Sequence, residues 1–157
     1  MWVTLGVAAI VLVIDQVTKS LVVAKLTDQP PINVLGDLLK LDLVRNPGAA
    51  FSLGTGYTFL FTGIAIAVVA VIIRTSRKLG SIWWAIALGG MLGGALGNLT
   101  DRMFREPGGL QGHVVDFIEL PHYPVFNCAD MAIVGSAILM VILAVRGIDL
   151  DGTRHGA

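Results

Sequence analysis

The chain has 157 residues, of which 55% are hydrophobic and only 14% are charged, and its mean hydropathy is +0.79. Soluble domains carry about 25% charged residues, so this composition disfavours both an ordinary soluble globule and a disordered chain. Eleven basic and eleven acidic residues give a formal net charge of zero, which disfavours a nucleic-acid partner, and a single cysteine excludes an intrachain disulfide.

A helix needs about 20 mostly apolar residues to cross the hydrocarbon core of a bilayer. Four segments meet or approach this length, and we expect spans at about 2–24, 57–73, 82–99 and 126–145. The first span has no basic segment before it and is interrupted by an acid and a lysine, so we interpret it as uncleaved. Because the spans leave no room for a soluble domain, we expect residues 1–157 to form a single integral membrane domain.

The first predicted span carries two ionisable side chains in an otherwise apolar stretch. Asp15 and Lys19 lie one helical turn apart on one face, in the half of the span that precedes the first long loop. Ionisable groups inside a span are costly and are therefore candidates for a functional site. The alternative interpretation is an ion pair that fixes the packing of this helix against its neighbours.

The long loop after the first span, about 25–56, contains a short strand pattern. Residues 39–43 read Leu-Lys-Leu-Asp-Leu, and this alternation of apolar and polar residues has the period of a β-strand. We expect a small sheet here, lying on the outer face of the membrane. The predicted fold class is thus an all-α membrane protein with four transmembrane helices and a small extracytoplasmic β-sheet in the first outer loop.

The basic residues of the short connections predict the orientation of the chain. The tight loop 74–81 holds three basic residues and no acid, and Arg146 and Arg154 follow the fourth span. Since Lys and Arg are enriched in short cytoplasmic loops, we expect this loop and both termini to be cytoplasmic. The long loops, about 25–56 and 101–125, would then face outward from a bacterial inner membrane.

The third span places its strong polar groups at the outer boundary of the predicted bilayer. Asn98 and Arg102 lie one turn apart at its outer end, and close helix packing at Gly94 would turn Asn98 inward. The polar residues of the fourth span lie in its first turn, at the same boundary. A transport path would distribute polar groups across the full depth of the membrane, so a single site at the outer face is the simpler interpretation.

Asp116, in the loop before the fourth span, and Asp130, in the first turn of that span, could act as paired carboxylates. Two like charges in contact cannot both ionise easily, so such a pair can share one proton, one member acting as a base on water and the other as an acid. We expect the shared proton to reside more often on Asp116, because a helix N-terminus favours an ionised Asp130. The structural alternative for Asp130 is a capping box with Asn127 as the N-cap.

Two other kinds of site have weaker support. Four residues have a spacing that would suit a metal site on a helix: His113, Asp116, Glu119 and His122. Pro121 and Pro124 disfavour a long helix there, so a loop with two solvated histidines is the simpler interpretation. Cys128 has no matching histidine and is interpreted as a small apolar residue that fills space, although a thiol nucleophile is the alternative.

Five motifs occur in order along the chain. They are Asp15-Gln16-x-x-Lys19, Asn46-Pro47-Gly48-Ala49-Ala50-Phe51, Gly93-Gly94-Ala95-Leu96-Gly97-Asn98-Leu99-x-Asp101-Arg102, Val114-Val115-Asp116-Phe117 and Phe126-Asn127-x-Ala129-Asp130. Together they resemble the bacterial lipoprotein signal peptidases (signal peptidase II), a family of membrane aspartic proteases, over about residues 15–133. Each motif alone is weak, but five in this order on the expected topology are specific.

This resemblance implies that Asp116 and Asp130 are the catalytic pair. It implies substrate-binding or supporting roles for eight further residues: Asp15, Lys19, Asn46, Gly94, Asn98, Arg102, Asn127 and Ala129. The implied reaction removes the signal peptide from diacylglyceryl-modified prolipoproteins by hydrolysing the bond before the lipidated cysteine. No cofactor and no metal are implied. The stretch between the two aspartates is shorter than the family pattern suggests, which could reshape the outer loop.

Prolipoprotein substrates and membrane lipid are the expected partners, and we expect the chain to be a monomer. Two other functions are compatible with the same residues. One is a small four-span proton-coupled transporter or channel, and the other is a structural membrane adaptor in which the Asp15–Lys19 pair locks the helices. Cleavage of a lipidated substrate by the purified protein, without an ion gradient, would separate the protease from both.

Overall fold

The structure is a computed structural model, and it describes residues 1–48 and 58–154. Within these ranges the chain forms four helices and three strands, in the order α1 (Trp2–Leu26), β1 (Ile32–Leu35), β2 (Leu39–Asn46), α2 (Thr58–Ser76), α3 (Ile82–Phe104), β3 (Val114–Glu119) and α4 (Cys128–Val145). All four helices are long and apolar enough to cross a membrane, which confirms the prediction of four spans.

The helices differ from the predicted spans mainly at their polar ends. α3 ends at Phe104 and not near residue 99, because the charged side chains of Asp101 and Arg102 are buried and bonded within the fold. α4 begins at Cys128 and not at residue 126, because Asn127 caps it. The predicted start of the second span, at residue 57, lies outside the described residues, as do residues 49–51 of the second motif.

α3 is the central helix and packs against α1, α2 and α4. Glycine makes this close approach possible on two of its faces. A Cβ at Gly93 would lie 2.6 Å from the backbone oxygen of Ala8 in α1, and a Cβ at Gly94 would lie 2.5 Å from the backbone oxygen of Ala129 in α4. The predicted close packing through glycine is therefore confirmed. α1, α2 and α4 turn large apolar side chains outward, as expected of surfaces that contact lipid.

The three strands form one antiparallel sheet in the order β1-β2-β3. β2 contains the predicted strand pattern of residues 39–43 and pairs with both of its neighbours. The sheet packs against the last turns of α1, where Val22 and Leu26 contact Val115 and Phe117 of β3. These contacts fix β3 beside the helix ends that carry the polar side chains.

Two expectations about this region are wrong, namely that Asp116 lies in a loop and that the sheet is confined to the first outer loop. Asp116 lies within β3, which comes from the second long loop and pairs with β2, where Val44 is opposite Asp116. The first four residues of β3, Val114–Phe117, are all buried, so the strand lacks the alternation of polar and apolar residues by which the first strand pattern was found.

Candidate active site

Asp116 is held by two asparagine side chains and is only 3% exposed. Its Oδ2 accepts a hydrogen bond from Nδ2 of Asn46 at 2.9 Å, and its Oδ1 accepts one from Nδ2 of Asn127 at 2.6 Å. Burial raises the pKa of Asp116 to about 6, and the negative charge of Asp130 adds to this effect, while the two asparagine hydrogen bonds oppose it. Asp116 can therefore hold a proton close to neutral pH.

Asp130 lies in the first turn of α4 and takes part in a complete capping box, as predicted. The side-chain oxygen of Asn127 accepts a hydrogen bond from the Asp130 N–H at 3.0 Å, and Oδ2 of Asp130 accepts one from the Asn127 N–H at 3.1 Å. Oδ1 of Asp130 accepts a further hydrogen bond from Nδ2 of Asn98 at 2.9 Å. The capping interpretation and the site interpretation thus apply to the same carboxylate.

Asn127 and Asn98 connect the two carboxylates. Asn127 donates to Asp116 through Nδ2 and accepts from the backbone of Asp130 through Oδ1. The same Nδ2 is also 3.2 Å from Oδ1 of Asn98, whose own amide donates to Asp130. One network of amides therefore positions both aspartates, and we expect a substitution at Asn98 or Asn127 to disturb the hydrogen bonds of both carboxylates.

Lys19 lies at the centre of a buried ionic cluster behind this network. Its Nζ is 2.8 Å from Oδ2 of Asp15 and 2.8 Å from Oδ2 of Asp101, and all three side chains are fully buried. The Asp15–Lys19 ion pair anticipated from the sequence is present. Nζ also donates to Oδ1 of Asn98 at 2.9 Å, which joins the cluster to the amide network. A lysine with two carboxylates and an amide oxygen has all three of its donors satisfied.

The two acids of this cluster hold the backbone on either side of the carboxylate pair. Oδ1 of Asp15 accepts from the N–H of Ala129 at 2.9 Å, and Oδ2 of Asp101 accepts from the N–H of Val115 at 3.2 Å. Ala129 and Val115 are the residues immediately before Asp130 and Asp116. Asp101 was absent from the predicted site; the signal that could have found it is an acid one helical turn after Gly97, just beyond the end of the third predicted span.

Arg102 joins the end of α3 to the end of β2 and to the loop that precedes β3. Its Nη1 donates to the backbone oxygen of Asn46 at 3.3 Å and to that of Gly112 at 3.0 Å. Asn46 lies at the end of β2, so its backbone is fixed by Arg102 while its side chain reaches Asp116. Of the eight residues expected to support the pair, every one lies in the described part of the chain and contacts this network or packs directly against it.

An apolar cavity of about 470 Å³ opens beside the two aspartates. Its wall is formed largely by apolar side chains of α2, α3 and α4, among them Phe61, Ala65, Val68, Met91 and Ile133. Its polar end is formed by Asp116 and Asp130 together with Asn46, Asn98 and Arg102. The cavity could hold an extended or helical apolar segment with a polar bond placed against the carboxylates.

The metal and thiol alternatives gain no geometric support. His113, Asp116, Glu119 and His122 do not share a helix face, because the chain is extended through β3. Within residues 1–48 and 58–154, no group of three or more His, Cys, Asp or Glu side chains could hold a metal ion. Cys128 packs against the apolar cluster beneath the sheet, and its Sγ is 3.5 Å from Oγ1 of Thr18.

Comparison with known sequences gives one consistent result. The family model described as signal peptidase (SPase) II matches residues 7–146 of this chain. A lipoprotein signal peptidase of Streptomyces griseus is 56% identical over 151 residues, which cover 96% of this chain and 77% of the relative. The lipoprotein signal peptidase of Mycobacterium tuberculosis is 53% identical over 153 residues, which cover 96% of this chain and 76% of the relative.

Comparison with solved structures points to membrane enzymes. A bacterial membrane enzyme determined by the in meso method at 1.9 Å resolution superposes with a TM-score of 0.80 at 28% identity, covering 93% of this chain and 94% of the other. A second bacterial membrane enzyme, at 2.3 Å resolution, gives a TM-score of 0.79 at 26% identity, covering 100% and 95%. The arrangement of helices and sheet described above is therefore shared with proteins of known structure.

Proposed function

The chain belongs to the signal peptidase II family, and from this premise we propose that Asp116 and Asp130 are its catalytic carboxylates. The protein removes the signal peptide from prolipoproteins. The proposal concerns how it does so. The observation that carries it is that both carboxylates lie at the polar end of one apolar cavity, joined by the amide of Asn127.

In the proposed reaction Asp130 is the base and Asp116 is the acid. Asp130 takes a proton from a water molecule, whose oxygen bonds to the carbonyl carbon while Asp116 gives its proton to the carbonyl oxygen. When the intermediate collapses, the C–N bond breaks, Asp130 passes its proton to the departing amine, and Asp116 recovers a proton from the hydroxyl of the intermediate. Both carboxyls return to their starting states, and the step needs no metal and no covalent intermediate.

The environment of Asp116 supports this division of roles. Burial raises the pKa of Asp116 to about 6, so this carboxyl holds a proton more readily than an ordinary aspartate does, as the acid of the pair requires. Asp130, in the first turn of α4, accepts hydrogen bonds from the Asn127 N–H and from Nδ2 of Asn98, so its two oxygens are oriented by donors, as suits the base of the pair. Lys19, Asn98 and Asn127 act as positioning residues in this account, because each contacts a carboxylate of the site or the network around it.

The cavity supports a lipid-bearing substrate. We propose that the substrate carries a diacylglyceryl group on the cysteine that follows the scissile bond. The apolar lining from α2 and α3 would accept the signal segment and the acyl chains, while the carboxylates meet the peptide bond at the polar end. The carboxylates lie where α3 ends and α4 begins, which suits a substrate that reaches the site from within the membrane.

We also propose that the protein lies in the bacterial inner membrane with both termini and the 74–81 loop in the cytoplasm. Three basic residues support this orientation: Arg74 in the last turn of α2, and Arg77 and Lys78 in the connection to α3. α3 then runs outward, and its polar end, with Asn98 and Arg102, lies at the outer face. The carboxylate pair would therefore act on precursors at the outer face.

The purified protein tests this function in detergent, with no ion gradient and with a metal chelator present. It should cleave a diacylglyceryl-modified precursor and leave the unmodified precursor largely uncut. The variant Cys128→Ala should cleave at the wild-type rate, because Cys128 packs beneath the sheet and does not line the cavity. Loss of cleavage with the chelator, restored by zinc, would support a metal site instead, and inactivation by a thiol reagent that Cys128→Ala abolishes would support the thiol.

A further inference from the structure

A second cavity, of about 930 Å³, lies against the sheet away from the carboxylate pair. The two cavities lie on opposite faces of the sheet, because alternate residues of β2 and β3 line different cavities. Asn46 and Asp116 line the first cavity, while Arg45 and Val115, which precede them in β2 and β3, line the second. Successive residues of a strand face opposite sides of a sheet, so the second cavity lies behind the strands that carry the active site.

Basic side chains dominate the polar lining of this second cavity. Arg45 is exposed and forms no ion pair with any residue that the structure describes. Arg105 contributes a second guanidinium, whose Nε is 2.6 Å from Oδ1 of Asp101, and His113 contributes an imidazole. Glu106 is the only acid among the described lining residues. Arg105 bonds Asp101 through Nε, so the guanidinium of Arg45 is the one in the described lining that has no carboxylate bonded to it.

The apolar part of the lining comes from the ends of two membrane-spanning helices. Val23 lies in the last turn of α1, and Phe104 is the last residue of α3 and is 77% exposed. α1 has 25 residues and is therefore about 37 Å long, which exceeds the roughly 30 Å hydrocarbon core of a bilayer. These helix ends thus lie where acyl chains give way to lipid headgroups.

We propose that this cavity binds an anionic phospholipid, whose phosphate contacts Arg45 and Arg105 and whose acyl chains lie along Val23 and Phe104. Guanidinium groups pair their N–H donors with phosphate oxygens, which suits the two arginines. A soluble anion would use only the basic half of the lining, whereas a lipid uses both halves. The bound headgroup would support β3 on the face opposite Asp116.

The test uses photoreactive phosphatidylglycerol with the reactive group beside its phosphate. The full chain is reconstituted in phosphatidylcholine vesicles containing this probe, and the labelled peptides are mapped. We expect labelling of residues 104–115, and also of the basic loop 74–81, which serves as an internal reference. The variant Arg45→Gln should lower the labelling of 104–115 relative to that of 74–81 by about fivefold, the factor expected for one arginine at an anionic membrane surface. The variant Arg45→Lys keeps the charge and should retain most of the labelling.

Three outcomes would overturn the proposal. One is an Arg45→Gln ratio equal to that of the wild type. Another is equal labelling of 104–115 by a phosphatidylcholine probe, which would mean that the headgroup charge is not recognised. A third is loss of labelling when millimolar inorganic phosphate is added, which would indicate a site for soluble anions. The variant Arg45→Gln must melt at the wild-type temperature for this comparison, because an unfolded fraction would lose the labelling of 104–115 while the basic segment 74–81 still bound the probe.

Discussion

Lys19 is buried between two carboxylates, and each of them bonds the backbone N–H of the residue before Asp116 or Asp130. Asp15 binds the Ala129 N–H and Asp101 binds the Val115 N–H, so one positive charge supports both halves of the site. Charges this deeply buried are tolerated only when they are paired. At the scale of the residue, the geometry of Asp116 and Asp130 therefore depends on Lys19, which reaches Asp130 through Asn98.

Replacing this lysine should destabilise the protein strongly. Lys19→Met leaves two buried carboxylates without their counter-charge, for which the expected loss is about 3–5 kcal/mol of unfolding free energy. The matched control is Lys40→Met, which breaks an ion pair with Asp37, whose side chain is 94% exposed, and should cost at most about 1 kcal/mol. Thermal unfolding of both variants in detergent checks the difference. Similar melting temperatures for the two variants would contradict the role assigned to the cluster.

The raised pKa of Asp116 predicts how stability varies with pH. The folded state holds this proton more tightly than the unfolded state, so the group contributes stability that is complete below pH 4 or so and is lost as the pH rises through about 6. The wild-type melting temperature should therefore fall between about pH 4.5 and 7. In Asp116→Asn this part of the decline should disappear, because the amide does not titrate. Parallel curves for the two proteins would show that Asp116 is not the group responsible.

At the scale of the element, features fixed by neighbouring residues could be predicted from the sequence, whereas features fixed by contacts between distant segments could not. The cap of α4 could be predicted because Asn127 and Asp130 satisfy each other's backbone within one turn. β3 could not be predicted, because its first four residues are buried on both faces and its period-two pattern is lost: Val115 and Phe117 pack against α1, while Val114 and Asp116 lie on the side of the first cavity. Arg102 was expected at the outer end of the third span, whereas Asp101 was not expected in the site, because its contacts are with Lys19 and the Val115 N–H, which are distant in sequence.

The packing of α3 against α1 yields a prediction about glycine. In Gly93→Ala the new Cβ would lie 2.6 Å from the backbone oxygen of Ala8, so the two helices must separate, and we expect a loss of about 1–3 kcal/mol. Gly135→Ala in α4 is the matched control, because a Cβ there meets nothing within 4 Å and alanine favours the helix. Thermal unfolding should show a lower melting temperature for the first variant and an equal or higher one for the second. A stable Gly93→Ala variant would mean that the helices are not in close contact.

At the scale of the whole molecule, α3 organises the packing of the helices, and the sheet lies between two cavities. α3 forms the centre of the helix packing and brings Asn98 and Arg102 to the site at its end. β2 and β3 separate the first cavity, which Asp116 and Asp130 line, from the second cavity behind the sheet. The polar side chains lie together at one end of the helices, an arrangement that suits a reaction at a membrane surface better than a path across the membrane. This distribution agrees with the peptidase and gives no support to the transporter alternative.

The proposed orientation can be measured on the intact protein. A reporter inserted at Arg77, in the basic loop between α2 and α3, should report the cytoplasm, because short basic loops are retained there. A reporter at Gly109, in the loop between α3 and β3, should report the outside. The two insertions differ only in position and so control for each other. An Arg77 reporter that is active only outside the cell would place the carboxylate pair on the cytoplasmic face and overturn the assignment.

The measurement that tests the catalytic pair most directly is cleavage of a diacylglyceryl-modified precursor by three purified variants. Asp116→Asn and Asp130→Asn should each retain less than about one hundredth of the wild-type rate while melting as folded proteins, because an amide cannot transfer the proton. Asp37→Asn, which removes an exposed carboxylate in the turn between β1 and β2, should cleave at the wild-type rate. If either of the first two variants is folded and keeps more than about one hundredth of the activity, that aspartate is not part of the catalytic pair.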